Sequence, residues 1–284
     1  MVIKPPCDRY LVDLMRSVFK VYSHLTCPTS YRLFRKLRSS GALESVILTD
    51  TGLDPFDAIS RNVVSVPAIF YNDNLIYSGY FDVDEAVNTI STGSLPSLED
   101  FDYTEASVMA MEGLLDSYAT ALWIFLTDRI ESPLRLRSFI EAVSRHVFYR
   151  YRSDESYERL RKEIIDLYRG ERNLYLERLR EAVTRNVIRE LIWLGKDPNI
   201  YRERISLEYI EHLLLARTAI GRIGLFMGYS GEKIHRERIR DLYTHLTNRW
   251  GDVVESVLKE TKKILGDIEY VSEYTKKLEE HTTT

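Results

Sequence analysis

The sequence predicts an α/β segment followed by an all-α segment, and three observations carry that prediction. Short β-branched and aromatic runs of strand length are confined to the first 95 residues. The stretch Ser91 to Ser97, rich in serine, glycine and proline, reads as a domain boundary. From about residue 102 onward every apolar pattern has the 3.6-residue period of helices. Two domains are therefore expected, at 1–95 and 96–284, as suits a chain of 284 residues.

In the first half, the polar-apolar stretch 8–16 reads as a helix and Val18-Phe19-Lys20-Val21-Tyr22 as a strand. From Pro28 the period becomes helical, with Tyr31, Leu33, Phe34 and Leu37 on one side and Gly41 as the stop. Val46-Ile47-Leu48 is a second strand, so strand, helix and strand form a parallel βαβ unit. A short helix spans Asp54 to Arg61. The runs Ala68 to Tyr71 and Leu75 to Tyr77 flank Asn72-Asp73-Asn74, residue types that tolerate the left-handed backbone of a tight hairpin. A helix from Asp82 to Ile90 closes a βαβ–ββα order, predicting a four-stranded mixed sheet covered by helices.

In the second half, helices are expected at about 104–128, 133–151, 154–169, 172–194, 206–228, 232–249 and 252–280. The last carries Val257, Ile264, Val271 and Leu278 at sevenfold spacing, which predicts one long packing seam. Trp123 and Trp193 lie on apolar helix faces and read as core. The arginines at 135, 137, 145, 150 and 152 are followed closely by acidic residues and read as a solvated, salt-bridged face.

Charge excludes some functions. With 39 basic against 43 acidic residues the surface is evenly mixed, so neither nucleic acid nor a membrane is expected as partner. Two cysteines, no apolar run of about 18 residues and no secretory leader favour a cytoplasmic protein with reduced thiols. No metal is expected either: Glu232 and His235 have a carboxylate–histidine spacing, but no second copy accompanies them, and Glu208 with His212 reads as an ordinary i, i+4 pair.

Chemistry concentrates at YSHLTCPTS, residues 22–30. If Pro28 opens a helix, Cys27 is its N-cap, where unpaired backbone N–H groups and the positive end of the macrodipole favour a thiolate. Two readings stand for Cys27: a reactive thiolate, or a small buried residue at a strand end. Thr29 and Ser30 likewise read as partners of the thiolate or as plain capping residues of a first helical turn.

The segment KVYSHLTCPTSYRLFRKL resembles the active site of glutaredoxins, where a strand runs through Tyr-Ser-Lys-x-x-Cys-Pro-x-Cys into a helix. Ser65-Val66-Pro67-Ala68-Ile69-Phe70 resembles the Thr-Val-Pro strand of that family, and Ile76-Tyr77-Ser78-Gly79-Tyr80-Phe81-Asp82 its Gly-Gly-x-Asp-Asp turn. The resemblance covers residues 18–91 and implies a thioredoxin-like fold with Pro67 cis and facing Cys27. Ser30 replaces the second cysteine, as in single-cysteine members, His24 replaces the lysine, and Phe81-Asp82 stands for the acidic pair. The two-domain layout is similar to that of cytosolic glutathione transferases, whose Glu/Gln-Ser pair is matched only at Ser78.

These resemblances imply a thiol-disulfide oxidoreductase or thiol transferase working through a mixed disulfide. Cys27 would be the nucleophile, with Ser30 beside it in the catalytic pair. His24, Thr29, Val66, Pro67, Ser78 and Asp82 would bind substrate. The substrate would be glutathione, another small thiol or a protein disulfide. The alternative is a non-catalytic interaction protein that keeps a thioredoxin-like scaffold and binds a protein partner, or a second copy of itself, through the helical domain.

Overall fold

The computed structural model describes residues 19–220 and 233–282. The helix expected at 8–16, Cys7, and the Ser230-Gly231-Glu232 stretch lie outside these residues. Within them, strands β1 (Phe19–Ser23), β2 (Val46–Asp50), β3 (Ala68–Tyr71) and β4 (Asn74–Ser78) form one sheet in the order β2-β1-β3-β4. β1 runs parallel to β2 and antiparallel to β3, and β3 pairs antiparallel with β4. The hairpin turn is two residues long. Asn72 and Asp73 both take positive φ, at 46° and 66°, the backbone that matches the twist of the flanking strands.

Helix α1 (Pro28–Ser39) links β1 to β2, α2 (Pro55–Ser60) precedes β3, and α3 (Val83–Thr92) follows β4. The apolar face of α1, with Leu33, Phe34 and Leu37, packs with Ala86, Val87 and Ile90 of α3 over one face of the sheet. On the other face, Tyr22, Ala68, Phe70 and Leu75 meet Ala58 of α2. Asp57 on α2 accepts from Lys20 Nζ and Tyr22 Oη, both at 2.6 Å, and fixes that helix to β1.

The rest is helical: α4 (Tyr103–Asp116), α5 (Tyr118–Thr127), α6 (Arg137–Val143), α7 (Asp154–Gly170), α8 (Arg172–Trp193), α9 (Pro198–Tyr201), α10 (Leu207–Ile220), α11 (Lys233–Asn248), α12 (Trp250–Leu265) and α13 (Ile268–Thr282). The periodicity reads α7 and α8 almost to the residue. Three other expectations change.

The expected 104–128 helix breaks at Ser117, whose extended backbone (φ −77°, ψ 115°) serves α4 as C-cap and α5 as N-cap. Its hydroxyl donates to the Val64 carbonyl at 3.2 Å, tying the break to the loop before β3. The expected 133–151 helix shrinks to α6 and short 3₁₀ turns, one of which follows Arg145 in the left-handed region. The sevenfold seam is not one helix either: it breaks at Gly266-Asp267, and the Asp267 carboxylate accepts the Tyr270 N–H at 3.1 Å. Val257 consequently packs in the helical core, while Ile264, Val271 and Leu278 pack with the sheet half.

The helical half therefore does not stand apart. α13 lies against β2 and α1, with Tyr270 and Tyr274 fully buried beside Phe34. α6 covers the second sheet face through Ala142. Arg145 pairs with Glu85 of α3, which also accepts from Tyr77 Oη at 3.0 Å. The arginine-rich stretch is ion-paired as expected, Arg137 with Glu141 and Asp154, and Arg150 with Glu99. No helix among the described residues is long and apolar enough to cross a membrane.

α4 crosses α6 at Gly113, where a Cβ would lie 2.6 Å from Val143 Cβ. Replacing a helical glycine by alanine ordinarily gains about 1 kcal/mol. Here Gly113→Ala is expected to lose about 1–3 kcal/mol in urea denaturation, because overpacking forces the helices apart. An unchanged or raised midpoint would contradict the close approach.

Candidate functional site

Cys27 stands where β1 gives way to α1. Its backbone is extended (φ −75°, ψ 125°), it caps the helix, and Pro28 occupies N1, where a missing N–H costs nothing. The half-buried thiol donates to the Val66 carbonyl at 3.5 Å, and the Val66–Pro67 peptide bond is cis. Thr29 lies in the first turn, and Ser30 is buried beneath it.

The turn before Cys27 is held from the far end of the chain. Asp50, buried at the end of β2, accepts the Leu25 N–H at 2.9 Å, the Gly52 N–H at 2.7 Å and the Tyr274 hydroxyl at 2.6 Å. Tyr270 Oη donates to the Leu25 carbonyl at 2.9 Å. A side chain at Gly52 would bring a Cβ to 3.0 Å from Asp50 Oδ1, so glycine suits this close turn.

Beside Cys27 lies a cavity of about 520 Å³ between the two halves. From the sheet half it is lined by Cys27, Pro28, Thr29, Pro55, Ala58, Ile59 and the segment Val63 to Val66. The helical half supplies Asp116, Tyr118, Asn186, Arg189, Trp193, Arg217 and Glu260. Asn186, Arg189 and Trp193 share one face of α8 at i, i+3 and i+7.

The charges in this lining are largely matched. Arg189 donates to Glu260 at 2.8 Å, and Arg185 shares that carboxylate at 3.3 Å. Arg217 pairs with the buried Glu190. Asp116 is different: Ser65 Oγ donates to it at 2.8 Å, and among the described residues it makes no ion pair. Gly79, at φ 63°, leaves room for it, since a Cβ there would come within 2.6 Å of Asp116 Oδ2.

Electrostatics pull the thiol in two directions. Burial pushes the Cys27 thiol up, and the Asp116 carboxylate adds to that, while hydrogen bonds from the Ser30 side chain and the Ser30 and Thr29 N–H groups oppose it. The upward influences win, so the neutral thiol is favoured more than in an ordinary cysteine. Asp116 is itself raised by desolvation from the surrounding cavity walls, with Ser65 and Arg189 opposing, although the residue is exposed to cavity water.

Not every residue expected at the site reaches it. Cys27, Thr29 and Val66 line the cavity, with Ser30 and Pro67 buried behind them. Burial lowers His24 below the usual imidazole range, with Asp50 opposing, so the ring is neutral near pH 7 and lends no charge to the thiol. Its Nδ1 accepts from the Thr26 N–H at 3.3 Å, which puts the proton on Nε2. The ring stacks on Trp193 at 4.3 Å, so His24 orients a wall residue and does not line the cavity itself.

Ser78 is fully buried, donates to the Ser65 carbonyl at 3.2 Å, and does not line the cavity. Asp82 caps α3, accepting from the Asp84 and Glu85 N–H groups, and Phe81 packs into the sheet core against Tyr77. Trp193, expected in the core, is 47% exposed at the cavity, whereas Trp250 is the buried tryptophan. Periodicity alone misassigned Trp193, because its face of α8 is also the polar face that carries Asn186 and Arg189.

Two other groupings carry no site. Ser156, His146 and Glu141 have the distances of a catalytic triad, 2.9 and 3.3 Å. His146 is fully buried, however, and Ser156 Oγ is already engaged by the Ser153 N–H and carbonyl in a helix cap. His212 Nδ1 bonds the Glu208 carbonyl, not its carboxylate. Among the described residues no three His, Cys, Asp or Glu side chains group as metal ligands.

No protein-family model matches the chain, and no curated protein or solved structure matches it.

Two kinds of measurement, thiol alkylation and urea denaturation, check these contacts. Plotted against pH, the alkylation rate of Cys27 is expected to reach its midpoint above the ordinary thiol value of about 8.5. Asp116→Asn removes a negative charge and should move the midpoint down. Ser30→Ala removes a hydrogen bond to the thiolate and should move it up. Tyr274→Phe removes one bond to a carboxylate, and should cost about 1.5–3 kcal/mol in urea denaturation. A loss under 0.5 kcal/mol, on the order of a neutral surface change, would show that Asp50 does not depend on α13.

Proposed function

We propose that the chain is a thiol-exchange protein with a thioredoxin-like, glutaredoxin-related first half, acting through Cys27 on a small disulfide or thiol held between its halves. One observation carries the reading: a cysteine at a helix N-cap, its sulfur beside the Val66 carbonyl, facing a cavity large enough for a small molecule. The strand order and the cis Val66–Pro67 bond are consistent with it.

In the proposed reaction Cys27 loses its proton to solvent and the thiolate attacks one sulfur of a bound disulfide. A Cys27–substrate disulfide forms and the second sulfur leaves as thiolate. With Ser30 in place of a second cysteine, release needs an external thiol, glutathione or another, which attacks the mixed disulfide and regenerates Cys27. Thr29 and Ser30 N–H groups and the Ser30 hydroxyl stabilise the thiolate as it forms, offsetting burial. Val66 offers its backbone edge to the substrate next to the reacting sulfur.

A second reading rests on the raised thiol: a non-catalytic scaffold that binds a partner through its helical half without covalent chemistry. The two separate by mass spectrometry after incubation with hydroxyethyl disulfide at pH 8. In a Cys7→Ser background the exchange reading expects one adduct, on Cys27, released by added glutathione and absent when Cys27→Ser is added. If Cys27 in that background is modified in the denatured chain while the folded chain stays free of adduct up to pH 9.5, the scaffold reading stands.

A further inference from the structure

We propose that Asp116 is a recognition site for an ammonium group, and that the molecule exchanging with Cys27 is a short aminothiol or its disulfide, with sulfur and ammonium joined by a two-carbon arm. This rests on the exchange reading above and adds to it the chemical class of the substrate.

The argument is one of charge and adjacency. Each arginine lining the cavity already has a carboxylate, Glu260 for Arg189 and Glu190 for Arg217. Asp116 accepts from the Ser65 hydroxyl and makes no ion pair among the described residues, with Arg189 opposing its rise from a greater distance, so it is the lining carboxylate still open to a cationic contact. The carboxylate is exposed to the solvent that fills the cavity, so a ligand held there can reach it. Ser65 Oγ retains its bond to Oδ2, which leaves Oδ1 to accept from a ligand.

Placement ties this carboxylate to the thiol. Ser65, which holds Asp116, is the chain neighbour of Val66, whose carbonyl accepts the Cys27 thiol. The sulfur and the carboxylate thus address consecutive residues, about 3.8 Å apart along the chain. A ligand with its sulfur at Cys27 reaches Asp116 with a short arm, whereas a carboxylate on that arm would be repelled. Trp193 and the apolar wall of Ala58, Ile59 and Val63 can cover the methylene groups.

With cystamine the step balances as simple exchange. The Cys27 thiolate displaces cysteamine thiolate, which takes a proton from solvent, and the bound half keeps its ammonium on Asp116. A second thiol then releases it. No oxidant beyond the disulfide itself is consumed.

The test compares three disulfides of similar length: cystamine (cationic), hydroxyethyl disulfide (neutral) and dithiodipropionate (anionic). Mixed-disulfide formation at Cys27 is followed by mass spectrometry, each rate being divided by that of a free cysteine peptide. Using ratios between reagents cancels any change in thiolate fraction. The wild-type protein is expected to favour cystamine over dithiodipropionate by about tenfold or more, as one nearby opposite charge allows. Asp116→Asn, which keeps the Ser65 hydrogen bond, should bring that ratio close to one.

A ratio near one in the wild type, or an unchanged ratio in Asp116→Asn, overturns the proposal. Cystamine binding to Cys27→Ser, read by calorimetry, keeps the two ideas separable. If no disulfide reacts yet cystamine binds and Asp116→Asn abolishes binding, the exchange reading fails and the ammonium site stands. If neither reaction preference nor binding depends on Asp116, the ammonium site fails.

Discussion

The Asp50 carboxylate is the point on which the geometry around Cys27 depends. Three donors converge on it, from the turn before Cys27, from the chain just after β2, and from Tyr274 near the end of the protein. Hydrogen bonds to a buried carboxylate are stronger than neutral ones, and leaving such a group short of donors is costly. The turn His24 to Thr26 is closed locally by the Cys27 N–H on the His24 carbonyl and the Thr26 N–H on His24 Nδ1, and it is tied to the rest of the chain by this carboxylate and by Tyr270 on the Leu25 carbonyl. The direction in which α1 begins, and with it the place of the thiol, follows.

That arrangement explains why the helical half is wrapped around the sheet and not merely attached to it. α13 brings the two tyrosines to β2 and α1, α6 closes the opposite sheet face, and the Ser117 break between α4 and α5 bonds to the loop that leads into β3. Each contact is made by a different part of the helical half. The cavity is what remains between surfaces positioned by these three attachments, so its walls are held on both sides. A preformed site of this kind spends less binding free energy on ordering its walls when a ligand arrives.

The strands, the hairpin and the N-cap position of Cys27 were legible because local chemistry decides them: β-branched runs, an Asn-Asp turn, a proline at N1. The breaks at Ser117 and Gly266-Asp267 were not, since a continuous apolar period says nothing of where a helix must turn to meet a distant partner. The thiol end of the site was readable in the same local way. Asp116 and Trp193 were not, because they reach the cavity only through the packing of α4 and α8 against the sheet half. His24 shows the opposite failure: it was expected to bind substrate, but burial and the contact with Trp193 make it a neutral spacer outside the cavity lining.

The thiol itself sits in an environment that argues with itself. A helix N-terminus and the Ser30 hydroxyl favour the thiolate, whereas burial and the carboxylate of Asp116 favour the thiol. If the cavity existed only to activate Cys27, a carboxylate with no ion pair would be the wrong group to hold beside it. A cation bound at Asp116 changes the balance: it cancels the repulsion felt by a forming thiolate, so a substrate bearing that cation would raise the reactivity of the sulfur that attacks it. Reactivity would then be coupled to occupancy, with Cys27 held mostly protonated until a molecule carrying the complementary charge arrives.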